Sequence, residues 1–172
     1  MEKLAQSLIK EKISELELEF NKVFQRLTRK KDMAHQVRIN PDNFKIELID
    51  KLGNIVNKKR ISSGEKQIYA FSMLESLGKV SGRALPFIVD TPLGRLDSKH
   101  RTRLVENFFP KIGEQVIVLS TYTEVDSEFY DALAPHIGQS YEIVYNESEG
   151  SSSLDTGYFW SKQKEDKFEL LA

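Results

Sequence analysis

Apolar residues near the start of the chain alternate at spacings of four and three: Ile9, Ile13, Leu16, Phe20, Val23 and Leu27. These are the a and d positions of a heptad pattern, with polar residues filling the intervals. The pattern predicts a long amphipathic helix of about three heptads, too short for a solitary coiled coil. Residues 1–35 therefore read either as a surface helix packed on the core or as a coiled-coil arm whose partner helix is missing. From Gln36 the period changes to two. "VRINPDNFKIELID" alternates around a Pro-Asp-Asn turn and "KLGN" turns the chain again, which predicts two or three short antiparallel strands.

A helix is expected from Gly64, with Ile68, Phe71, Leu74 and Leu77 on one face and "KVSGR" at its end. "ALPFIVD" and "QVIVLS" are short apolar runs of the kind that forms strands buried on both faces. Between them lies the helix "SKHRTRLVENFFPKI", with Ser98 as the expected N-cap. After the second run comes the helix "TYTEVDSEFYDALAPHI", stopped near Pro135. A hairpin closes the chain: "SYEIVYNE", a "SEGSSS" turn and "DTGYFW", with Tyr158, Phe159 and Trp160 in a packed edge strand. The strand–helix–strand–helix order predicts an α/β lobe over residues 36–172, with largely parallel core strands and antiparallel flanking strands.

Composition narrows the function classes. The chain has 172 residues, 40% hydrophobic and 30% charged, with a formal net charge of −1. That balance gives one compact lobe plus an appendage, with no strongly electropositive body. The absence of cysteine excludes disulfides and thiolate metal sites. His35, His100 and His136 have no metal-ligand spacing. No apolar run approaches the ~20 residues of a membrane helix, so a cytoplasmic protein is the expectation.

Three features point to phosphate chemistry. "ISSGEKQ" heads the helix that follows, where unpaired N–H groups and the macrodipole favour an anion. Small residues let an anion approach the backbone, and Ser62 adds a hydroxyl donor. By itself such a segment is more often an ordinary cap. "PFIVD" is an apolar strand ending in Asp90, the arrangement that aims one carboxylate at a phosphate-bound Mg²⁺. "VIVLST" is a second strand ending in polar residues that can reach the same place.

In this order the motifs resemble those of ABC-type ATPases, and the group of structural maintenance of chromosomes (SMC) proteins in particular. Ser62, Ser63, Gly64, Glu65, Lys66 and Gln67 are similar to the family signature. Asp90 matches the Walker B aspartate, Arg95, Leu96 and Asp97 the D-loop, and Thr121 the switch-histidine position. The combination "SSGEKQ…VDTPLGRLD…LSTYTE" further resembles the DndD family, the ATPases of bacterial DNA phosphorothioation. The resemblance implies an ABC-ATPase head lobe that uses ATP and Mg²⁺ and dimerises head to head. It also implies DNA and sulfur-modification subunits as partners, and a nucleoid-associated location. In such heads the signature closes over ATP held by another head.

Two positions depart from the general pattern. Thr91 stands where most relatives carry the catalytic glutamate, and Thr121 replaces the histidine. A general base contributes ~10²–10⁴-fold and a threonine hydroxyl cannot serve at neutral pH, so Glu124, one helical turn beyond the second strand, is the candidate base. The alternatives are a helix-terminal role for Glu124, half of a generic SMC-like DNA repair ATPase, and a degenerate head that dimerises or docks partners without hydrolysis. No GxxxxGK[ST] phosphate loop occurs in the chain. The resemblance assigns that loop to a separate N-terminal half, so a C-terminal half of the head is expected. Basic clusters at Arg26–Lys31, Asn57–Arg60 and Lys99–Arg103 read as solvated faces or DNA phosphate contacts.

Overall fold

The computed structural model describes residues 2–28, 36–57, 61–94, 96–121 and 123–158. The chain divides into two units, Met1–Leu119 and Ser120–Ala172.

In the first unit, α1 (Glu2–Leu27) is the amphipathic helix the heptads predict. Its seam is graded: Ile9 is 45% exposed, Ile13 and Leu16 are half-buried, and Phe20, Val23 and Leu27 are buried. The helix is thus arm-like at its start and part of the core at its end. The expected boundary between arm and lobe falls within residues 29–35, outside the described residues.

Strands β1 (Gln36–Ile39), β2 (Ile46–Ile49) and β3 (Ile55–Val56) form an antiparallel sheet in that order, with Val37 opposite Leu48. Asn40 Oδ1 accepts the Asp42 and Asn43 N–H groups, and Asp50 Oδ1 accepts those of Leu52 and Asn54. These side chains build the turns that the Pro-Asp-Asn and Gly-Asn signals predicted. The free edge of β1 is covered by α1. Asn21 Nδ2 donates to Val37 O at 2.9 Å, Asn21 Oδ1 accepts Val37 N–H at 2.8 Å, and Glu17 Oε2 accepts Ile39 N–H at 2.7 Å. Two helical side chains thus satisfy the backbone groups that a further strand would take.

Helix α2 (Ser63–Ser81) ends at Gly82, in the left-handed region at φ 62°. Its buried face corrects the expectation: Ile68 and Phe71 are buried, but Leu77 is 49% exposed, and Ser72, Glu75 and Ser76 are inside. The serines are small and return their hydroxyls to carbonyls four residues back, Ser72 to Ile68 at 2.8 Å and Ser76 to Ser72 at 2.6 Å. Their burial therefore leaves no polar group unpaired and lets α1 approach. Glu75, fully buried, is ion-paired to Arg26 of α1, and Lys79 Nζ lies 2.9 Å from its other oxygen. Phe20, Phe24 and Tyr69 pack beside this pair, with centroids 5.0 and 6.4 Å from the Tyr69 ring.

Strands β4 (Phe87–Asp90) and β5 (Val116–Leu119) pair in parallel, joined through α3 (Ser98–Asn107). Among the described strands this is the one parallel pair. Neither strand is buried on both faces as expected: Phe87 and Val89 point inward, whereas Ile88, Ile117 and Leu119 are 64%, 41% and 43% exposed. The packing found around Phe87 and Val89 leaves the Ile88 face uncovered among the described residues. Asp97, not Ser98, caps α3, its carboxylate accepting His100 N–H at 2.9 Å. A carboxylate at the cap also complements the helix dipole, and Ser98 becomes the first helical residue.

In the second unit, α4 (Ser127–Leu133) is capped by Asp126, whose carboxylate accepts Phe129 N–H at 2.9 Å, and passes into a 3₁₀ turn, Ala134–His136. The hairpin β6 (Tyr141–Asn146) and β7 (Ser151–Thr156) is antiparallel. Ser151–Ser153 belong to β7 instead of the turn, because the four-residue connection 147–150 places them opposite Asn146, Tyr145 and Val144. Tyr158 lies beyond β7, and Phe159 and Trp160 lie outside the described residues. No helix among the described residues is long and apolar enough to cross a membrane.

Two stability effects are expected. Ala normally gains about 1 kcal/mol over Gly inside a helix. At Gly78 an added Cβ would stand 2.7 Å from Phe87 Cζ, and Gly113 already hems the same ring, its own added Cβ falling 2.7 Å from Cδ2. Gly78→Ala should therefore lower stability, by about 1–3 kcal/mol, in urea unfolding; a gain would show that the ring moves freely. Arg26→Ala should cost about 3 kcal/mol by leaving Glu75 buried beside Lys79 alone. The double change Arg26→Met, Glu75→Leu should cost much less, since it buries no charge; equal losses would refute the ion-pair account.

Candidate functional site

The Ser62–Gln67 segment sits at the head of α2. Ser62 is its N-cap: Ser62 Oγ accepts Glu65 N–H at 3.2 Å, and Glu65 Oε2 accepts Ser62 N–H at 2.6 Å. This reciprocal capping box gives two of the helix-end donors a partner. The "ISSG" segment is therefore a true cap in this structure. Its use as a cap does not exhaust it, because a hydroxyl that accepts one bond still carries its own O–H donor. Ser62, Ser63 and Lys66 are exposed and Gly64 is half-buried, so this helix end faces solvent. Ile61 just before it is buried and anchors the entry.

Gln67 connects the head of α2 to the loop after β4. Its Nε2 donates to Pro92 O at 2.6 Å, across 25 residues of sequence, while its Oε1 is buried without a hydrogen-bond partner among the described residues. The loop after β4 is therefore held against the first turns of α2. The loop is pinned from within: Pro92, Leu93 and Leu96 are buried, and Leu96 N–H donates to Leu93 O at 3.2 Å. Asp90, Thr91 and Asp97 remain exposed around that anchor. Asp97 is engaged as the α3 cap and also lies 3.0 Å from His100 Nδ1. Arg95 lies outside the described residues.

Thr91, which follows Asp90 at the end of β4, has φ 45°. A β-branched residue in the left-handed region is strained, typically by about 1–3 kcal/mol. The bond from Thr91 N–H to Leu119 O at 2.9 Å holds it there, extending the parallel pairing one residue past Asp90. The strain thus falls where the chain leaves β4 and must turn Pro92 and Leu93 into the core.

Thr121 and Glu124 belong to the second unit. Thr121 is exposed; its carbonyl accepts Glu124 N–H at 3.1 Å and Val125 N–H at 3.3 Å, and its hydroxyl lies 3.1 Å from that of Thr123. Glu124 is not on a helix, since α4 begins only at Ser127, where Asp126 provides the cap. It sits in the preceding turn and is 5% exposed. The helix-terminal role considered for Glu124 belongs to Asp126.

The basic clusters are largely structural where described. Arg26 pairs with Glu75, Arg103 donates to the Thr28 carbonyl at the end of α1, and Arg101 Nε donates to Leu96 O at 3.0 Å. Residues 29–31 and 58–60 lie outside the described residues. Sequence reasoning missed Gln67 as a tie and Arg26 and Arg103 as structural residues, because each of these bonds spans 25 or more residues and no local pattern marks it. The Arg101 bond reaches only five residues back.

A Mg²⁺ ion takes one or two carboxylates and completes its shell with waters and phosphate oxygens. The exposed Asp90 carboxylate at a strand end fits that demand. No group of three His, Cys, Asp or Glu residues able to hold a metal occurs among the described residues.

Replacing Thr91 by Gly should remove the backbone strain and raise stability by about 1 kcal/mol, net of the added chain entropy. Thermal unfolding of Thr91→Gly against Thr91→Ala measures it. The alanine variant should gain nothing, because its Cβ keeps the strain; equal behaviour of the two would sink the idea.

No protein-family model matches the chain, and no curated protein does. Solved structures do match. One chain, from a study of ATP-driven dimerisation and DNA-stimulated activation of SMC ATPases, superposes with TM-score 0.65 at 14% identity, over 97% of this chain and 98% of its own. The Smc head domain of Pyrococcus yayanosii, with its coiled coil and joint, gives 0.62 at 16% identity, over 88% of this chain and 28% of its own. A Smc head bound to the C-terminal winged-helix domain of ScpA gives 0.61 at 16% identity, over 88% of this chain and 45% of its own. The chain thus spans less than half of the latter two. At these identities the likeness is one of fold, and the fold is that of an SMC ATPase head.

Proposed function

We propose that the chain is the C-terminal half of an SMC-like ATPase head that dimerises on ATP. In this reading Ser62–Gln67 is the signature that meets nucleotide held by a second head. Asp90 faces the Mg²⁺, Arg95–Asp97 is the D-loop, and Thr121 occupies the switch position. The observation that supports the reading is the bond from Gln67 to the Pro92 carbonyl, which holds the head of α2 beside the loop after β4, in a fold like that of SMC heads. The bound nucleotide and metal would supply the phosphoryl group and the charge that polarises it. The chain's own part is to present the Ser62 hydroxyl and the helix N-terminus to an anion, and to hold Asp90 at a strand end.

The N-terminal half, carrying the phosphate loop, is the first partner, and a second head the next. The motif set "SSGEKQ…VDTPLGRLD…LSTYTE" supports the finer assignment to the DndD family, with DNA and the sulfur-modification subunits as further partners and a cytoplasmic, nucleoid-associated setting. A chain without cysteine carries no persulfide, so its role in phosphorothioation is mechanical. The assignment of Glu124 as base rests on its position after β5. Thr91 in the glutamate position and the burial of Glu124 favour a second reading, a head that closes and docks partners without turnover.

Joining these residues to the matching N-terminal half, and following dimerisation and hydrolysis together, separates the two readings. ATP should drive dimerisation that Ser62→Arg abolishes, and Asp90→Ala should cut hydrolysis by at least about 100-fold. Dimerisation without hydrolysis would favour the docking head. If ATP changes neither, the signature is a helix cap only. The 172 residues alone should show negligible turnover, having half of each composite site.

A further inference from the structure

The loop that follows β5 and carries Thr121 and Glu124 is tied down from the far end of the chain. Tyr158 OH lies 3.1 Å from Ser120 Oγ, across 38 residues of sequence. The Tyr158 ring stacks on Tyr130 of α4, with centroids 5.0 Å apart and planes 6° from parallel. One side chain therefore touches the start of the loop and the helix at its far end. Glu124 lies between these anchors in sequence and is buried. Its carboxylate is near enough to help push the Tyr158 phenol above its ordinary value, after burial as the main cause. The phenol is thus neutral at physiological pH and keeps its O–H.

Tyr158 is also fixed to the hairpin. It follows β7 by two residues, and Gly157 N–H donates to Ser140 O at 2.9 Å, closing the hairpin's open end. The strands themselves are exposed along nearly their whole length, with Ile143 and Leu154 each 68% exposed. Tyr158 therefore links the end of the hairpin to the loop.

The geometry points to Tyr158 as a positioning residue: its hydroxyl and ring hold the Ser120–Asp126 loop, and through that loop Thr121 and Glu124, in the geometry that hydrolysis requires. This rests on the ATPase reading above, in which that loop serves the nucleotide. The hydroxyl sets the loop's start, and the ring stack sets its distance from α4. Removing the hydroxyl loosens the loop while leaving the stack in place.

The test uses the ATPase assembled from both head halves. Tyr158→Phe should lower kcat about threefold to tenfold, the change one lost hydrogen bond brings, with KM, ATP-driven dimerisation and Tm unchanged. Ser120→Ala should do the same, and the double variant should be no slower than either single one, since both remove one bond. Tyr158→Ala should be slower still. An unchanged kcat in Tyr158→Phe, or additive effects of the two changes, overturns the inference. So does a loss that follows Tm or dimerisation instead of kcat. Asp90→Asn is run beside them. If it abolishes hydrolysis while Tyr158→Phe does nothing, the positioning role alone fails; if it leaves hydrolysis intact, the assignment of the site to Asp90 fails; and if the assembled head does not hydrolyse ATP at all, the ATPase reading fails and the positioning role with it.

Discussion

The first unit is organised around a carboxylate that cannot be buried alone. Glu75 lies within α2 with no solvent exposure, and an isolated charge there would cost several kcal/mol. Arg26 of α1 and Lys79 compensate it. Because the partner must arrive from α1, the pair fixes how far along α2 the first helix sits. That register brings Phe20 and Phe24 onto Tyr69, and aligns Glu17 and Asn21 with the edge of β1. It also leaves the end of α1 where Arg103 of α3 can bond the Thr28 carbonyl. Arm helix, antiparallel sheet and α3 are thus all referenced to the helix whose N-terminus carries the signature residues.

The opposite side of the site is held by apolar contact. Leu93 and Leu96 draw the loop after β4 into the core, and the parallel bond from Thr91 to Leu119 holds the strand end. Between these anchors the backbone has only one residue in which to turn, and the positive φ of Thr91 is the consequence. Asp90 is left exposed at a fixed strand end, and Gln67 closes the gap to α2. A residue with a fixed backbone and a solvated carboxylate is what a hydrated divalent cation requires.

Charge is distributed unevenly along the chain. Residues 120–158 contain eight Asp and Glu side chains and no Lys or Arg. In the first unit, the arginines at 26, 101 and 103 are engaged in internal bonds.

The sequence alone determined what depends on neighbouring residues. The heptads placed α1, the change to period two placed the first sheet, and the apolar runs placed β4 and β5, because helix and strand periodicity are local properties. It also located the cap at Ser62 and the carboxylate at Asp90. Only the tertiary structure decided what depends on distant residues. Whether β4 and β5 are covered on one face or two, and why Ser72, Glu75 and Ser76 displace Leu77 from the core, are set by what packs against them. The cap of α3 and the start of α4 moved by one and several residues, since Asp97 and Asp126 accept helix-end N–H groups more strongly than the sequence pattern distinguishes. The ties Gln67–Pro92, Arg26–Glu75 and Ser120–Tyr158 join residues 25, 49 and 38 positions apart. Such pairs leave no periodic trace, because their energy comes from burial and geometry that exist only once the chain has folded.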